Sequence, residues 1–175
     1  MISAWGKLGR LALAISLLSS VWAQSRRDPL NPEEQDQLRD AAQDPGERLK
    51  LYILFARTRL TALEQVRADP KATDRAQQTR DRLQDFLDVY DELNDNIDTF
   101  VERKADLRKP LKAIIEADTE FQAKLRALKS SADASKDEAK YDFLLSNVLE
   151  TVDGGVQDHR QLLSEQEEAA KHKKK

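Results

Sequence analysis

Two interleaved runs of apolar residues, each seven apart, constrain this chain more than any other feature. Leu83, Tyr90 and Ile97 form one run, and Phe86, Leu93, Phe100 and Leu107 form the other. Steps that alternate between three and four place all of them on one face of an α-helix, the a/d seam of a heptad. A strand would scatter the same residues over both of its faces. Leu87, Val89 and Val101 lie beside the seam and broaden it. A broadened seam suits a helical bundle better than a two-stranded coil. The pattern predicts a helix over 72–105.

Composition points the same way. Beyond residue 23 the only glycines are Gly46, Gly154 and Gly155, so few tight hairpins are possible. Ala, Leu, Glu, Lys, Arg, Gln and Asp dominate, and straight side chains lose little rotamer freedom in a helix. The chain has no cysteine, which excludes disulfides and lipid attachment at a thiol. A formal net charge of -3 gives no reason to expect a nucleic-acid partner.

The remaining helices have readable starts. In Asn31-Pro32-Glu33-Glu34, Asn31 can cap, Pro32 suits the first helical position and Glu34 can return the cap. A short helix follows, with Leu38, Ala41 and Ala42 as its apolar residues. Asp44-Pro45 repeats the signal and opens a helix over 45–68, striped by Leu49, Ile53, Ala56, Leu60 and Leu63. Leu51, Tyr52, Leu54 and Phe55 widen that stripe almost all round, so this turn is expected to be the most buried. A strand over 51–55 is the alternative, but no turn residues flank it. Asp69-Pro70 ends the helix.

Pro110 either kinks the 72–105 helix or starts the next one. Leu107, Leu111, Ile114, Phe121, Leu125 and Leu128 carry a stripe onward, with Asp118 as its one polar member. Residues 130–135 are small and polar, and Ser135-Lys136-Asp137-Glu138 reads as a capping box. Tyr141, Leu144, Leu145, Val148 and Val152 then follow at helical spacing. Gly154-Gly155 should weaken this helix by about 1 kcal/mol per glycine. Val156, His159 and Leu163 keep the same phase, so a continued or kinked helix is expected. The expected fold is all-α: an up-and-down helical bundle of about four main helices with a short N-terminal helix. It forms a single domain over 24–170, followed by a basic disordered tail at 171–175.

The first residues carry an address. Lys7 and Arg10 precede an uncharged apolar run at 11–21, and Val21-Trp22-Ala23 supplies the residues that a signal peptidase reads. Residues 1–23 therefore read as a cleaved secretory signal peptide. A spanning helix needs roughly 20 apolar residues, about twice this run, so no transmembrane segment is expected in the mature chain. The expected location is periplasmic or extracellular.

Candidate chemistry is sparse. Asp81, Asp85, Asp88, Asp91, Glu92, Asp95, Asp98 and Glu102 crowd the heptad helix, but they fall at b, c and f, which face water. A metal site in a bundle core would need acids at a or d with a paired histidine. Asp118 could set register, act as a general acid or sit at a rim, and the rim reading is favoured. His159 follows a helical stripe and reads as a core or boundary residue, and His172 belongs to the tail. With no cysteine, no histidine pair and no methionine beyond Met1, haem, copper and zinc lack their usual ligands. Neither a Gly-x-Ser-x-Gly elbow nor a glycine-rich phosphate loop is present. No catalytic, cofactor-binding or metal residue is assigned.

Leu30-Asn31-Pro32-Glu33-Glu34-Gln35 resembles the Leu-Thr-x-x-Gln element of small periplasmic stress chaperones, which are exported, helical and free of cofactors. Asn31 stands where that family has Thr, a second copy is missing, and a helix cap accounts for the same residues. The chain is not assigned to that family. The expectation is an exported, non-enzymatic protein acting by protein–protein interaction or self-association. The alternative is a periplasmic chaperone holding unfolded clients. In either case Val89 is expected to border the contact surface, where a charge would weaken binding without unfolding the bundle.

Overall fold

The computed structural model describes residues 28–131 and 138–172. They form an all-α bundle: α1 (Pro32–Asp40), α2 (Pro45–Ala68), α3 (Arg75–Glu102), α4 (Arg108–Ser131) and α5 (Asp142–His172), with a 3-10 turn at Glu138–Lys140. Residues 51–55 are helical, and no strand occurs among the described residues. The signal-like residues 1–23 and most of the capping box read at 135–138 lie outside them.

The caps form as their residue types require. The Asn31 side chain accepts from the Glu34 N–H at 2.9 Å, and the Glu34 carboxylate accepts from the Asn31 N–H at 3.0 Å. Asp44 accepts from the N–H groups of Gly46 and Glu47, ahead of a proline that has no N–H to satisfy. Helix α3 is shorter at both ends than its pattern suggests. Asp74 and Lys104 take left-handed backbone conformations (φ 49° and 58°), which stop helical propagation on either side. Pro110 starts a helix and kinks none. It lies in the first turn of α4, where a missing N–H breaks no intrahelical bond.

Helix α5 runs unbroken through Gly154 and Gly155. It extends through His172, two residues into the segment read as a tail. Lys171 there places positive charge at the negative end of the helix dipole.

Packing gives a ring in the order α2, α3, α5, α4. Helix direction alternates along the chain, but the link between α3 and α4 crosses the diagonal. The neighbours α2 and α4 therefore run parallel, as their ion pairs Arg57–Glu120 (2.8 Å) and Glu64–Lys124 (2.6 Å) trace. Among the described helices, α1 rests on α2 alone. Arg59 holds it by donating to both Glu34 carboxylate oxygens (2.7 and 2.6 Å) and to the Pro29 carbonyl (2.8 Å).

The heptad seam is the core: Leu83, Phe86, Tyr90, Leu93, Ile97 and Phe100 are all buried. Phe121 of α4 meets Phe86 edge-on at 5.3 Å. Two expectations fail at the seam's margins. Leu54 is 53% exposed, so α2 is not apolar all round; Tyr52, Ile53, Phe55 and Ala56 turn inward and Leu54 does not. Val89 has no exposure, so it borders no contact surface. Helix α3 is flanked by α2 on one side and α5 on the other, which covers Leu87 and Val89 beside the seam but leaves Val101, near the helix end, exposed.

A buried polar network and the candidate cleft beside it

Asp118 lies in phase with Ile114 and Phe121, and α4 carries it inward until it has no exposure. The rim reading is therefore overturned. Its Oδ1 accepts from the Tyr90 hydroxyl at 2.9 Å, and its Oδ2 lies 2.8 Å from Nδ1 of His159. Three helices, α3, α4 and α5, thus meet on one carboxylate. A buried carboxylate is tolerated only when its oxygens find partners, and here both do. Burial pushes the Tyr90 hydroxyl well above a tyrosine's ordinary pKa, and the charge and hydrogen bond of Asp118 push it further. Tyr90 therefore remains a donor. The carboxylate beside Nδ1 accepts, so Nδ1 carries a proton and Nε2 is the ring nitrogen left over.

Gly155 makes room for this network. A Cβ at that position would overlap the Tyr90 hydroxyl, whereas one at Gly154 would meet nothing. The two adjacent glycines, read as a weak point of the helix, have different functions: one admits a side chain and the other faces open space.

His159 also lines a cleft of about 660 Å³ between α3 and α5. Ile97, Val101 and Leu162 give it apolar walls, and Asn94 contributes a polar one. The Asn94 Oδ1 is buried and has no hydrogen-bond partner. Asp98, Glu150 and Asp158 stand exposed at the rim, and no lysine or arginine among the described residues lines the cleft.

A second groove, about 630 Å³, runs between α2 and α4 over Leu60, Leu63, Leu125 and Leu128. The Glu64–Lys124 ion pair bridges it, and Arg67 donates to Ser131 at 3.2 Å at its end. Of the acids of α3, Asp81, Asp95, Asp98 and Glu102 are exposed and Asp85, Asp88, Asp91 and Glu92 are half-buried, some bonded to neighbours on the same helix, as in Arg82–Asp85 and Gln84–Asp88. Among the described residues, no group of three or more His, Cys, Asp or Glu side chains is placed to hold a metal ion. No helix among them is long and apolar enough to cross a membrane.

Sequence reasoning assigned Asp118 no partner and missed Tyr90 and Asn94 as polar participants. A usable signal existed. Asp118 and His159 each interrupt an apolar stripe, and a tyrosine at a core position needs a partner for its hydroxyl.

Comparison with known protein families, with curated proteins and with solved structures finds no match to this chain.

Proposed function

We propose that this chain is an exported, non-enzymatic binding protein whose working surface is the cleft between α3 and α5. One observation carries the reading. Asn94 Oδ1 has no partner, the Nδ1 side of His159 is already committed to Asp118, and both residues line the same cleft. Polar groups held at a partly apolar concavity are what a recognition site needs. Binding is favoured over catalysis because, among the described residues, His159 bonds only to Asp118. Among the described residues no hydroxyl is hydrogen-bonded to its ring, as that of an activated nucleophile would be. Export rests on the apolar run at 11–21 and the residues after it.

Two experiments test this. Cleavage after Ala23 would remove Trp5 and Trp22, so the exported form should show tyrosine emission only. Tryptophan emission from that form would end the export reading. For binding, the cysteine-free chain accepts single photo-crosslinkers on engineered thiols. A probe at Asn147→Cys, on the cleft, should yield an adduct with another protein, or with a second copy if the chain self-associates. A probe at Lys50→Cys, on α2 across the bundle, should yield none. Equal labelling from both positions, or none from Asn147, would refute the reading.

A further inference from the structure

We propose that the α2 face beneath α1 is a receptor for an acidic helix, and that two copies of this chain pair by exchanging α1 across it. The α3/α5 cleft takes no part in this. Arg48, Tyr52, Phe55 and Arg59 recur at steps of four, three and four, which places them on one face of α2. The two arginines stand at its ends and hold opposite ends of α1. Arg59 donates to both Glu34 carboxylate oxygens and to the Pro29 carbonyl ahead of the helix. Arg48 donates to the Leu38 carbonyl at 2.6 Å, one of the last carbonyls of α1, which lack a donor within the helix. Asn96 of α3 accepts from Arg48 Nε at 2.7 Å and fixes its aim. Tyr52 and Phe55 lie between the arginines, buried and edge-on to one another at 6.4 Å.

The ring of α2, α3, α5 and α4 closes without α1. Glu34 and Leu38 are the buried residues of that helix. Glu33, Glu34, Asp36 and Asp40 against Arg39 make it acidic, which complements the two arginines. Nine residues are too few for a stable helix in water, so α1 needs an α2 to fold against. Nothing requires that α2 to be its own. The link between them is residues 41–44, and Asp44 is extended ahead of Pro45, so the two helices are jointed and not continuous. Swinging α1 at that joint onto a second copy keeps each contact named above, twice per dimer. Exchange of an identical element is a low-cost route to a dimer for this reason. A second copy is the occupant because the face matches α1 at three points in one register: Glu34, the Leu38 carbonyl and the Pro29 carbonyl. Lys50 follows Arg48 by two residues, about 200° around the helix, and so lies outside this contact.

The test uses full chains. Glu34→Arg and Arg59→Glu each set like charges against one another, both in the chain's own contact and in a dimer of that variant. Each alone should be monomeric, with α1 amides that exchange hydrogen freely. In a mixed, exchanged pair the introduced arginine faces the introduced glutamate, and the native Glu34 faces the native Arg59. The 1:1 mixture should therefore sediment as a dimer with protected α1 amides. A second measurement decides the matter if either variant fails to fold. A labelled, capped peptide of residues 28–42 is titrated with the wild-type chain and with its Glu34→Gln form. It should bind the Glu34→Gln chain about ten-fold more tightly, because that chain's own α1 competes less. Glu34→Gln in the peptide should instead weaken binding about ten-fold, the scale of a lost hydrogen bond between charged groups. A mixture of folded variants that stays monomeric would overturn the proposal. So would a peptide that binds neither chain, or both equally.

Discussion

Nδ1 of His159 lies 2.8 Å from Oδ2 of Asp118, with both side chains inside the bundle at 5% and 0% exposure. The contact joins α5 to α4, and the Tyr90 hydroxyl extends it to α3. Removing the shared carboxylate leaves two buried polar groups without a partner. Asp118→Ala should therefore destabilise the fold by about 3–5 kcal/mol. Urea denaturation would measure it. A loss under about 1 kcal/mol, the net worth of an ordinary hydrogen bond, would mean that the network is not formed.

Adjacent glycines should respond in opposite directions. Gly154→Ala places a methyl in open space on a helix and should stabilise by up to about 1 kcal/mol. Gly155→Ala drives its methyl into the Tyr90 hydroxyl and should cost about 1–3 kcal/mol. Adding Tyr90→Phe to Gly155→Ala removes the oxygen that is struck, so part of that cost should return. Thermal melts of the three variants give the signs directly, and a stabilising Gly155→Ala would contradict the packing described.

Glu34 should make the docking of α1 acid-sensitive. Burial alone raises its pKa, but hydrogen bonds from Arg59 and the Asn31 N–H, with the Arg59 charge, outweigh this and hold it below 4.5. A depressed folded pKa means that the contribution is complete above the unfolded value near 4.5. It fades as pH falls through the folded pKa. Hydrogen exchange at α1 amides should accelerate in that range, and Glu34→Gln should flatten the dependence. Unchanged exchange down through the same range would show that the Arg59 contact does not hold α1.

Val89→Asp should unfold the bundle or cost more than about 3 kcal/mol, because it puts an unpaired carboxylate at a position with no exposure. Leu54→Asp, on a side chain 53% exposed, should stay within about 0.5 kcal/mol. Circular dichroism during urea titration separates the two. Equal tolerance at both sites would place Val89 on the surface after all.

Periodicity and end chemistry determined much of this protein from the sequence by itself. The heptad at Leu83 to Phe100 specified which face of α3 is buried, because residues at steps of three and four share a face whatever lies opposite. Asn31, Asp44 and Glu34 specified two helix starts, because a cap bonds residues two or three apart. Neither property requires knowing where another helix goes. The site required it. Asp118, Tyr90 and His159 lie 28 and 41 residues from each other along the pairs they form, on three helices. Which of them meet depends on the ring order α2, α3, α5, α4, and that order came from a connection crossing the diagonal. The same arrangement buried Val89, turned Leu54 to water and placed Asn94 and His159 on one cleft. A single stripe records only that a residue faces inward. Its partner is decided by the packing of helices distant in sequence, and local spacing carries no trace of that.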